Sequence, residues 1–108
     1  MYTRKVGLKY AEQYLKMVKD MNIHVDKAFM FGSYAKGSAH KYSDIDIAII
    51  SKDFSSNPLF NRKLLSSLSL EFSKVEAHLF SWSDYKGNVK DAFLTEEIMK
   101  TGIEIKVK

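Results

Sequence analysis

Two acidic residues, Asp44 and Asp46, lie one residue apart at the start of an apolar stretch. If residues 44–51 form a β-strand, both side chains leave the same face, roughly 7 Å apart at a rise of about 3.3 Å per residue. Ionised carboxylates in apolar surroundings lose hydration and repel each other, so the pair needs a compensating cation. Mg²⁺ prefers carboxylate oxygen ligands. The pair therefore predicts a divalent-metal site.

Gly32 and Ser33 precede this pair by ten residues and follow an apolar segment at residues 28–31. Glycine allows the sharp turn that a strand makes into a helix, and serine offers a hydroxyl and an amide that can hold phosphate oxygens. A Gly-Ser pair alone is more typical of a capped turn, and Asp-x-Asp alone is typical of a solvated strand end. Both motifs together, each on an apolar strand, favour a site for a metal and a nucleotide.

These motifs also carry a resemblance to a known family. The segment FGSYAKG at residues 31–37, followed by SDIDI at residues 43–47, resembles the signature of the DNA polymerase β nucleotidyltransferase superfamily. Within it, the chain is similar to the minimal nucleotidyltransferases (MNT), which are often paired with helical HEPN proteins in toxin–antitoxin modules. The resemblance implies nucleotide binding by Gly32, Ser33 and Lys36. Lys36 stands where these proteins commonly carry arginine, so it keeps the positive charge without the planar guanidinium.

A third acid, Glu76, lies in the apolar segment at residues 74–80. The superfamily usually has an aspartate in this strand, so the resemblance implies that Glu76 joins Asp44 and Asp46 as a catalytic and metal-binding residue. The alternative is a strand residue that faces solvent or pairs with a lysine. His78 would share the face of Glu76, but we expect a neighbour of the site rather than a ligand, because Mg²⁺ prefers oxygen. His40 is expected in a surface loop.

The resemblance implies a function as well. A minimal nucleotidyltransferase transfers a nucleoside monophosphate, here AMP from ATP, to a hydroxyl, with Mg²⁺ as cofactor and two ions expected. The acceptor hydroxyl would belong to a HEPN-type helical partner protein, and the chain would be the antitoxin of that toxin. A non-catalytic antitoxin that retains the fold is the alternative. An enzyme acting on a small molecule or an RNA end is a third interpretation.

Composition limits the remaining choices. The chain has 108 residues, which suits a single nucleotidyltransferase domain over residues 1–108, and the absence of cysteine excludes disulfides and a cysteine nucleophile. The net charge of +4 comes from dispersed lysines, which argues against nucleic acid as the main partner. We see neither an apolar run of about 20 residues nor a signal peptide, so we expect a cytoplasmic protein away from membranes. Homo-oligomerisation is left open.

Periodicity predicts the elements that position these residues. Apolar residues at helical spacing predict a first helix and a later one after an Asn-Pro start; the two sets are Val6, Tyr10, Ala11, Tyr14, Val18 and Met21, and Phe60, Leu64, Leu65, Leu68 and Phe72. Strands are predicted at residues 25–31, 44–51, 74–80 and 103–107, with a loop at 81–89 and a short helix within 91–100. The strict alternation of the last strand predicts one exposed face, hence an edge position or a one-sided sheet. This order fits an α/β (α+β) domain: a small mixed β-sheet with helices packed on one face, as in the nucleotidyltransferase fold.

Overall fold

The computed structural model describes residues 2–55, 57–87 and 91–107. The elements follow the predicted order. The helices are α1 (Arg4–Asp20), α2 (Ser33–Lys36), α3 (Pro58–Leu65), α4 (Trp82–Lys86) and α5 (Met99–Thr101), and the strands are β1 (Lys27–Phe31), β2 (Ile45–Ser51), β3 (Val75–Ser81) and β4 (Ile103–Ile105). A 3₁₀ turn (Ser66–Leu68) follows α3, and a π-helix (Phe93–Ile98) leads into α5.

The four strands form one mixed sheet in the order β3-β2-β1-β4. β1 pairs antiparallel with both β2 and β4, whereas β2 and β3 run parallel. β4 therefore lies at one edge, which is one of the two placements that its alternating sequence predicts, and β3 lies at the other. The parallel pair brings the amino-terminal ends of β2 and β3 together, which are the ends that carry the predicted acids.

One face of the sheet carries the larger core. Odd-numbered residues of β2 and even-numbered residues of β1 point to this face and pack against α1 and α2; the members include Ala28, Met30, Ile45, Ile47, Ile49, Ala11, Val18 and Tyr34. β2 is apolar on both faces, which is typical of a strand covered on both sides. This burial gives the acidic end of β2 a rigid base.

The opposite face is also partly covered, which refines the prediction of helices on one face. Leu94 and Ile98 of the π-helix pack on Phe29, Ala48 and Ile50 in a second, smaller cluster. The β1 and β2 residues of this face that form the cluster are apolar, so burying them under a helical segment is favourable. The helical layer covers only part of this face, and the same face carries Asp46 and His78.

Some element boundaries differ from the predicted ones. Tyr10 and Met21 belong to the predicted stripe of α1, yet they are 43% and 37% exposed, and Leu15 is buried instead. The helix predicted beyond residue 58 ends at Leu65, and Phe60 is 49% exposed. Tertiary packing, rather than spacing alone, decides which apolar residues of a helix are covered.

The predicted loop at residues 81–89 begins with α4, whose start has a capping box. Ser81 accepts a hydrogen bond from the Asp84 amide, and Asp84 accepts one from the Ser81 amide. Residues 88–90, which include the end of that predicted loop, lie outside the described residues. β4 ends at Ile105, two residues earlier than predicted. Among the described residues, no helix combines the length and the apolar character that crossing a membrane requires.

Candidate metal and nucleotide site

The parallel pairing of β2 and β3 brings Asp46 and Glu76 together. They are direct register partners, and Ala48 and His78 form the next pair on the same face. His78 reaches back toward the two acids: its Nε2 lies 3.6 Å from Asp46 Oδ1 and 3.7 Å from Glu76 Oε1. Two carboxylates and one imidazole nitrogen therefore converge from adjacent strands.

This group fits a divalent cation. One ligand atom from each of Asp46, Glu76 and His78 can be chosen so that all three lie within 4.8 Å of one another. His78 Nε2 is buried and has no hydrogen-bond partner among the described residues. A buried polar atom without a partner is costly, and adjacent carboxylates repel, so a cation would relieve both. The side chains of Asp46 and His78 are 23% and 29% exposed, so the position remains open to solvent.

Two aromatic side chains hold the imidazole. The ring of Phe31, at the end of β1, lies 5.0 Å from the His78 ring in an edge-on arrangement. Phe93 contributes from the π-helix, with ring centroids 6.2 Å from His78 and 5.8 Å from Phe31. Such packing limits the rotation of the imidazole and favours the orientation that points Nε2 at the acids.

Gly32 makes the turn between β1 and α2 directly beside Asp46. Its backbone has φ +75° and ψ −154°, a conformation essentially restricted to glycine. A Cβ at this position would collide with the Asp46 carboxylate. The glycine therefore serves two purposes: it permits the turn and leaves room for the acid.

Ser33 is the first residue of the short helix α2 and is half-buried. The Ser38 amide donates to the Ser33 carbonyl at 2.9 Å, and Gly37 ends α2 with a left-handed backbone at φ +78°. Lys36, the third predicted nucleotide contact, is exposed in the last turn of α2. Gly32 and Ser33 thus lie together where β1 turns into α2, and Lys36 lies at the other end of this short helix.

The first helix fixes the position of this turn. Gly7 of α1 lies so close to α2 that a Cβ there would approach the Tyr34 ring to 2.7 Å and the Met30 sulfur to 3.0 Å. Arg4 Nε donates to the Ala35 carbonyl at 2.9 Å. Tyr34 is almost fully buried, so it anchors α2 in the same core that contains the β2 residues next to Asp46.

Asp44 lies immediately before β2 and is exposed. Its neighbours are anchored: Ser43 exchanges hydrogen bonds with His40 at 2.9 Å, and the Ile45 amide donates to the Lys74 carbonyl at 2.8 Å. In the described part of the chain, the converging group consists of Asp46, Glu76 and His78 and does not include Asp44. The metal-binding role of Asp44 stays a prediction.

The sequence interpretation set His78 aside as a neighbour of the site, yet the geometry places its nitrogen between the two acids. Its spacing of two residues from Glu76 already put both side chains on one face. The register of β3 against β2 could not be read from spacing, and it is this register that brings Asp46 into the same group. His40, by contrast, is exposed in a loop, as expected.

A cavity of about 290 Å³ adjoins the site along β3. Its lining includes Asn61 and Arg62 of α3, His78 of β3, and Asp91 and Phe93. The cavity meets the converging group at His78, whereas Asp46 and Glu76 are not among its lining residues.

The chain belongs to the nucleotidyltransferase domain family, whose model matches residues 11–107. This membership confirms the resemblance seen in the Gly-Ser and Asp-x-Asp motifs. The mixed α/β fold is also the fold of solved nucleotidyltransferase structures.

Three proteins of similar sequence are named as protein adenylyltransferases. Two proteins of Methanocaldococcus jannaschii, provisionally named as protein adenylyltransferases, are 42% identical over 43 residues and 28% identical over 81 residues. These matches cover 40% and 75% of this chain, and 29% and 79% of the two relatives. The protein adenylyltransferase MntA of Shewanella oneidensis is 32% identical over 65 residues, covering 57% of this chain and 47% of that protein. The chain thus spans less than half of two of these relatives.

Solved structures share the fold. A toxin–antitoxin structure with AMP-PNP matches with a TM-score of 0.62 at 20% identity, over 90% of this chain and 73% of that chain. A crystal structure of a Sulfolobus solfataricus protein, provisionally described as a nucleotidyltransferase, matches with a TM-score of 0.58 at 19% identity. The match covers 94% of this chain and 80% of that chain. At these identities the likeness concerns the fold.

Proposed function

We propose that this chain transfers AMP from ATP to a hydroxyl group of a partner protein, with Mg²⁺ as cofactor. The observation that carries the proposal is the convergence of Asp46 and Glu76 beside the Gly32 turn. A nucleotidyltransferase needs a cation site and a phosphate-binding turn in contact with each other, and here a single carboxylate touches both. Relatives named as protein adenylyltransferases support AMP as the group and a protein as the acceptor.

Each site residue has a role in this proposal. Asp46 would hold Mg²⁺ on the triphosphate, and Asp44, at the exposed start of β2, would add a ligand when the nucleotide binds. Glu76 would complete a second metal site. When bound, the ion would neutralise the negative charge that builds up on the phosphates. Gly32 and Ser33 donate to phosphate oxygens from the start of α2, and Lys36 adds a positive charge near them.

Glu76 is placed to handle the proton of the acceptor. Its side chain is 57% exposed at the sheet edge, so an incoming hydroxyl can reach it. The acceptor oxygen forms a bond to the α-phosphorus of ATP, the bond from that phosphorus to the pyrophosphate oxygen breaks, and the hydroxyl proton passes to the Glu76 carboxylate. Pyrophosphate leaves, and AMP remains on the acceptor through a phosphodiester.

The acceptor would be a HEPN-type helical toxin, for which this chain is the antitoxin. Solved toxin–antitoxin complexes with the same fold support a protein partner. The cavity along β3 is lined in part by His78, whose Nε2 lies 3.7 Å from Glu76, so a protein segment in this cavity would come close to the proposed base. Such a pair would draw on cytoplasmic ATP, so we place it in the cytoplasm.

A second candidate is a non-catalytic antitoxin that neutralises its partner by contact alone. The exclusion of Asp44 from the converging group favours it, as does the glutamate at position 76 where the superfamily usually has aspartate. In that case the fold would serve as a scaffold and the acids would bind metal without transfer.

Labelled ATP separates the two candidates. The purified chain is incubated with Mg²⁺, ATP labelled at the α-phosphate and the protein encoded beside it, and complex formation is measured by size-exclusion chromatography. We expect label on the partner with the wild type and none with Asp46→Asn. A stable complex that carries no label, at any Mg²⁺ concentration, would contradict transfer and support the contact mechanism.

A further inference from the structure

We propose that His78 is a nitrogen ligand of the metal at this site, and that Asp46, Glu76 and His78 therefore bind Mn²⁺ and Zn²⁺ more tightly than Mg²⁺. This inference rests on the proposed function for the place of the metal. It goes beyond it by assigning a ligand that is not a carboxylate and by naming the class of ion that the donor set selects.

The distances suit direct coordination. An ion with bonds of about 2.0–2.1 Å in tetrahedral geometry keeps its ligand atoms roughly 3.3–3.4 Å apart. The observed separations from His78 Nε2 are 3.6 Å to Asp46 Oδ1 and 3.7 Å to Glu76 Oε1. Shifts of a few tenths of an ångström would bring His78 Nε2 to ligand spacing from each carboxylate, and the two carboxylate oxygens, which lie within 4.8 Å of one another, would close the remaining gap by side-chain rotation. The half-exposed Glu76 can make most of that adjustment.

The unpartnered nitrogen is the second observation. His78 Nε2 is buried and donates to and accepts from no described residue, although two carboxylates lie near it. Phe31 and Phe93 pack on the ring and keep it aimed at the acids. A histidine serving only to fill space between aromatic rings would leave this nitrogen without a hydrogen bond, and burial of an unpaired polar atom is unfavourable. A metal bond supplies the missing partner.

The donor set decides the preference. Mg²⁺ favours an all-oxygen octahedron and retains water ligands, so an imidazole adds little to its affinity. Imidazole suits the first-row transition ions, and a site of nitrogen and oxygen ligands generally binds Zn²⁺ more tightly than Mn²⁺. We therefore expect the order Zn²⁺, Mn²⁺, Mg²⁺ for the chain without nucleotide.

Calorimetric titration with each of the three metal ions, without nucleotide or partner, tests the order. Replacement of a direct ligand should cost at least as much as the roughly 10–100-fold loss seen for residues that support ligands. His78→Phe keeps an aromatic ring against Phe31 and Phe93 and removes the nitrogen, so it should lose Zn²⁺ affinity by that factor while Mg²⁺ affinity changes little. His78→Gln replaces the nitrogen ligand with an amide oxygen, so it should also bind Zn²⁺ more weakly than the wild type does.

His24 provides the matched control. It is one of the three histidines of the chain, and its Nε2 lies 3.0 Å from Asp26 Oδ1, but its side chain is 67% exposed and no third ligand joins it in the described structure. His24→Gln should leave Zn²⁺ affinity unchanged. In the wild type, imidazole ¹⁵N spectra should show a Zn²⁺-dependent shift at Nε2 of His78 before any shift at His24.

Equal Zn²⁺ affinity in the wild type and His78→Phe, or a ¹⁵N shift confined to His24, would overturn the proposal. The spectra use the wild type alone, so the test survives even if a variant fails to fold. Because neither measurement contains ATP or a partner, its failure is distinct from that of AMP transfer: a chain that labels its partner with Mg²⁺ yet shows no His78 coordination contradicts only this inference.

Discussion

The carboxylate of Asp46 occupies the space that a side chain at Gly32 would need. The antiparallel register of β1 and β2 brings this about, because Phe31 pairs with Asp46 and Gly32 follows it directly. The phosphate-binding turn and the metal ligand are therefore in contact, and a change at the glycine must be felt at the acid.

Gly32→Ala and Gly37→Ala form a pair that isolates this contact. Both glycines have positive φ, so each alanine loses stability, about 1–2 kcal/mol at the left-handed Gly37 and more at Gly32. At Gly37 the nearest atom to an added Cβ is Arg4 Nη2 at 3.9 Å, so the local structure has room. We expect metal and nucleotide binding, measured by calorimetry, to be lost in Gly32→Ala and kept in Gly37→Ala. Equal binding losses would show that the contact with Asp46 is unimportant.

Replacing Asp46 should not destabilise the metal-free fold. Asp46 faces Glu76 across the parallel strands, and like charges directly opposite each other on neighbouring strands are destabilising. Asp46→Asn should therefore melt at the same temperature as the wild type or higher in EDTA at pH 8, and the stabilisation by Mg²⁺ or Mn²⁺ should disappear. A large drop in the metal-free melting temperature, together with a wild type that ignores both ions, would mean that Asp46 is structural.

Tyr14 predicts how stability responds to alkaline pH. Burial raises the pKa of its phenol above the ordinary value of 10.0, because the ionised form is poorly solvated among Phe72 and its neighbours. The stabilising contribution of the neutral phenol is complete below pH 10 and is lost as pH rises through the raised pKa. Urea unfolding between pH 8 and 11 should show a smaller alkaline loss for Tyr14→Phe. Tyr10→Phe, at an exposed position of α1, should match the wild type.

The sequence was sufficient for the order of elements and for the two motifs because both depend on local chemistry. Strands of branched apolar residues, a glycine at a sharp turn and the Asn57-Pro58 helix start each have short-range causes. The Asn57 side chain does accept from the Leu59 amide, as the cap requires. These features need no knowledge of what lies across the sheet.

Features that depend on packing between distant segments escaped prediction. The cover supplied by Leu94 and Ile98 to the second face requires a π-helix whose partners lie on β1 and β2, and no spacing within residues 91–100 indicates which face it meets. The nitrogen of His78 joins the acids only through the parallel register of β3. Long-range register, rather than residue type, set the limit of the sequence interpretation.

Ser33 should contribute one hydrogen bond to the nucleotide. As the first residue of α2, beside the Gly32 turn, it can donate its hydroxyl to a phosphate oxygen. Ser33→Ala should weaken Mg²⁺-ATP binding by about 1.5–3 kcal/mol, the range for a hydrogen bond to a charged group. Ser38→Ala, in the exposed turn after α2, is the control and should bind normally. ATP affinity that is the same in EDTA as in Mg²⁺ would refute the arrangement altogether.

The third acid should separate binding from chemistry. Glu76 is more exposed than Asp46 and lies at the sheet edge beside the cavity, where an acceptor would arrive. Glu76→Gln should therefore keep Mg²⁺-ATP binding nearly intact while transfer falls by about 10² or more, the effect of losing a positioned base. Asp44→Asn and Asp46→Asn should instead abolish transfer and weaken Mg²⁺-ATP binding as well.

Glu76→Asp provides the conservative counterpart. It restores the carboxylate that the superfamily usually has in this strand, so transfer should be retained, whereas Glu76→Gln keeps the length and removes the charge. Calorimetry of Mg²⁺-ATP and the rate of label transfer to the partner, measured on the same preparations, distinguish the two effects. Full transfer by Glu76→Gln would show that the third carboxylate takes no proton from the acceptor, and a loss of ATP binding equal to that of Asp46→Asn would make Glu76 a primary metal ligand instead.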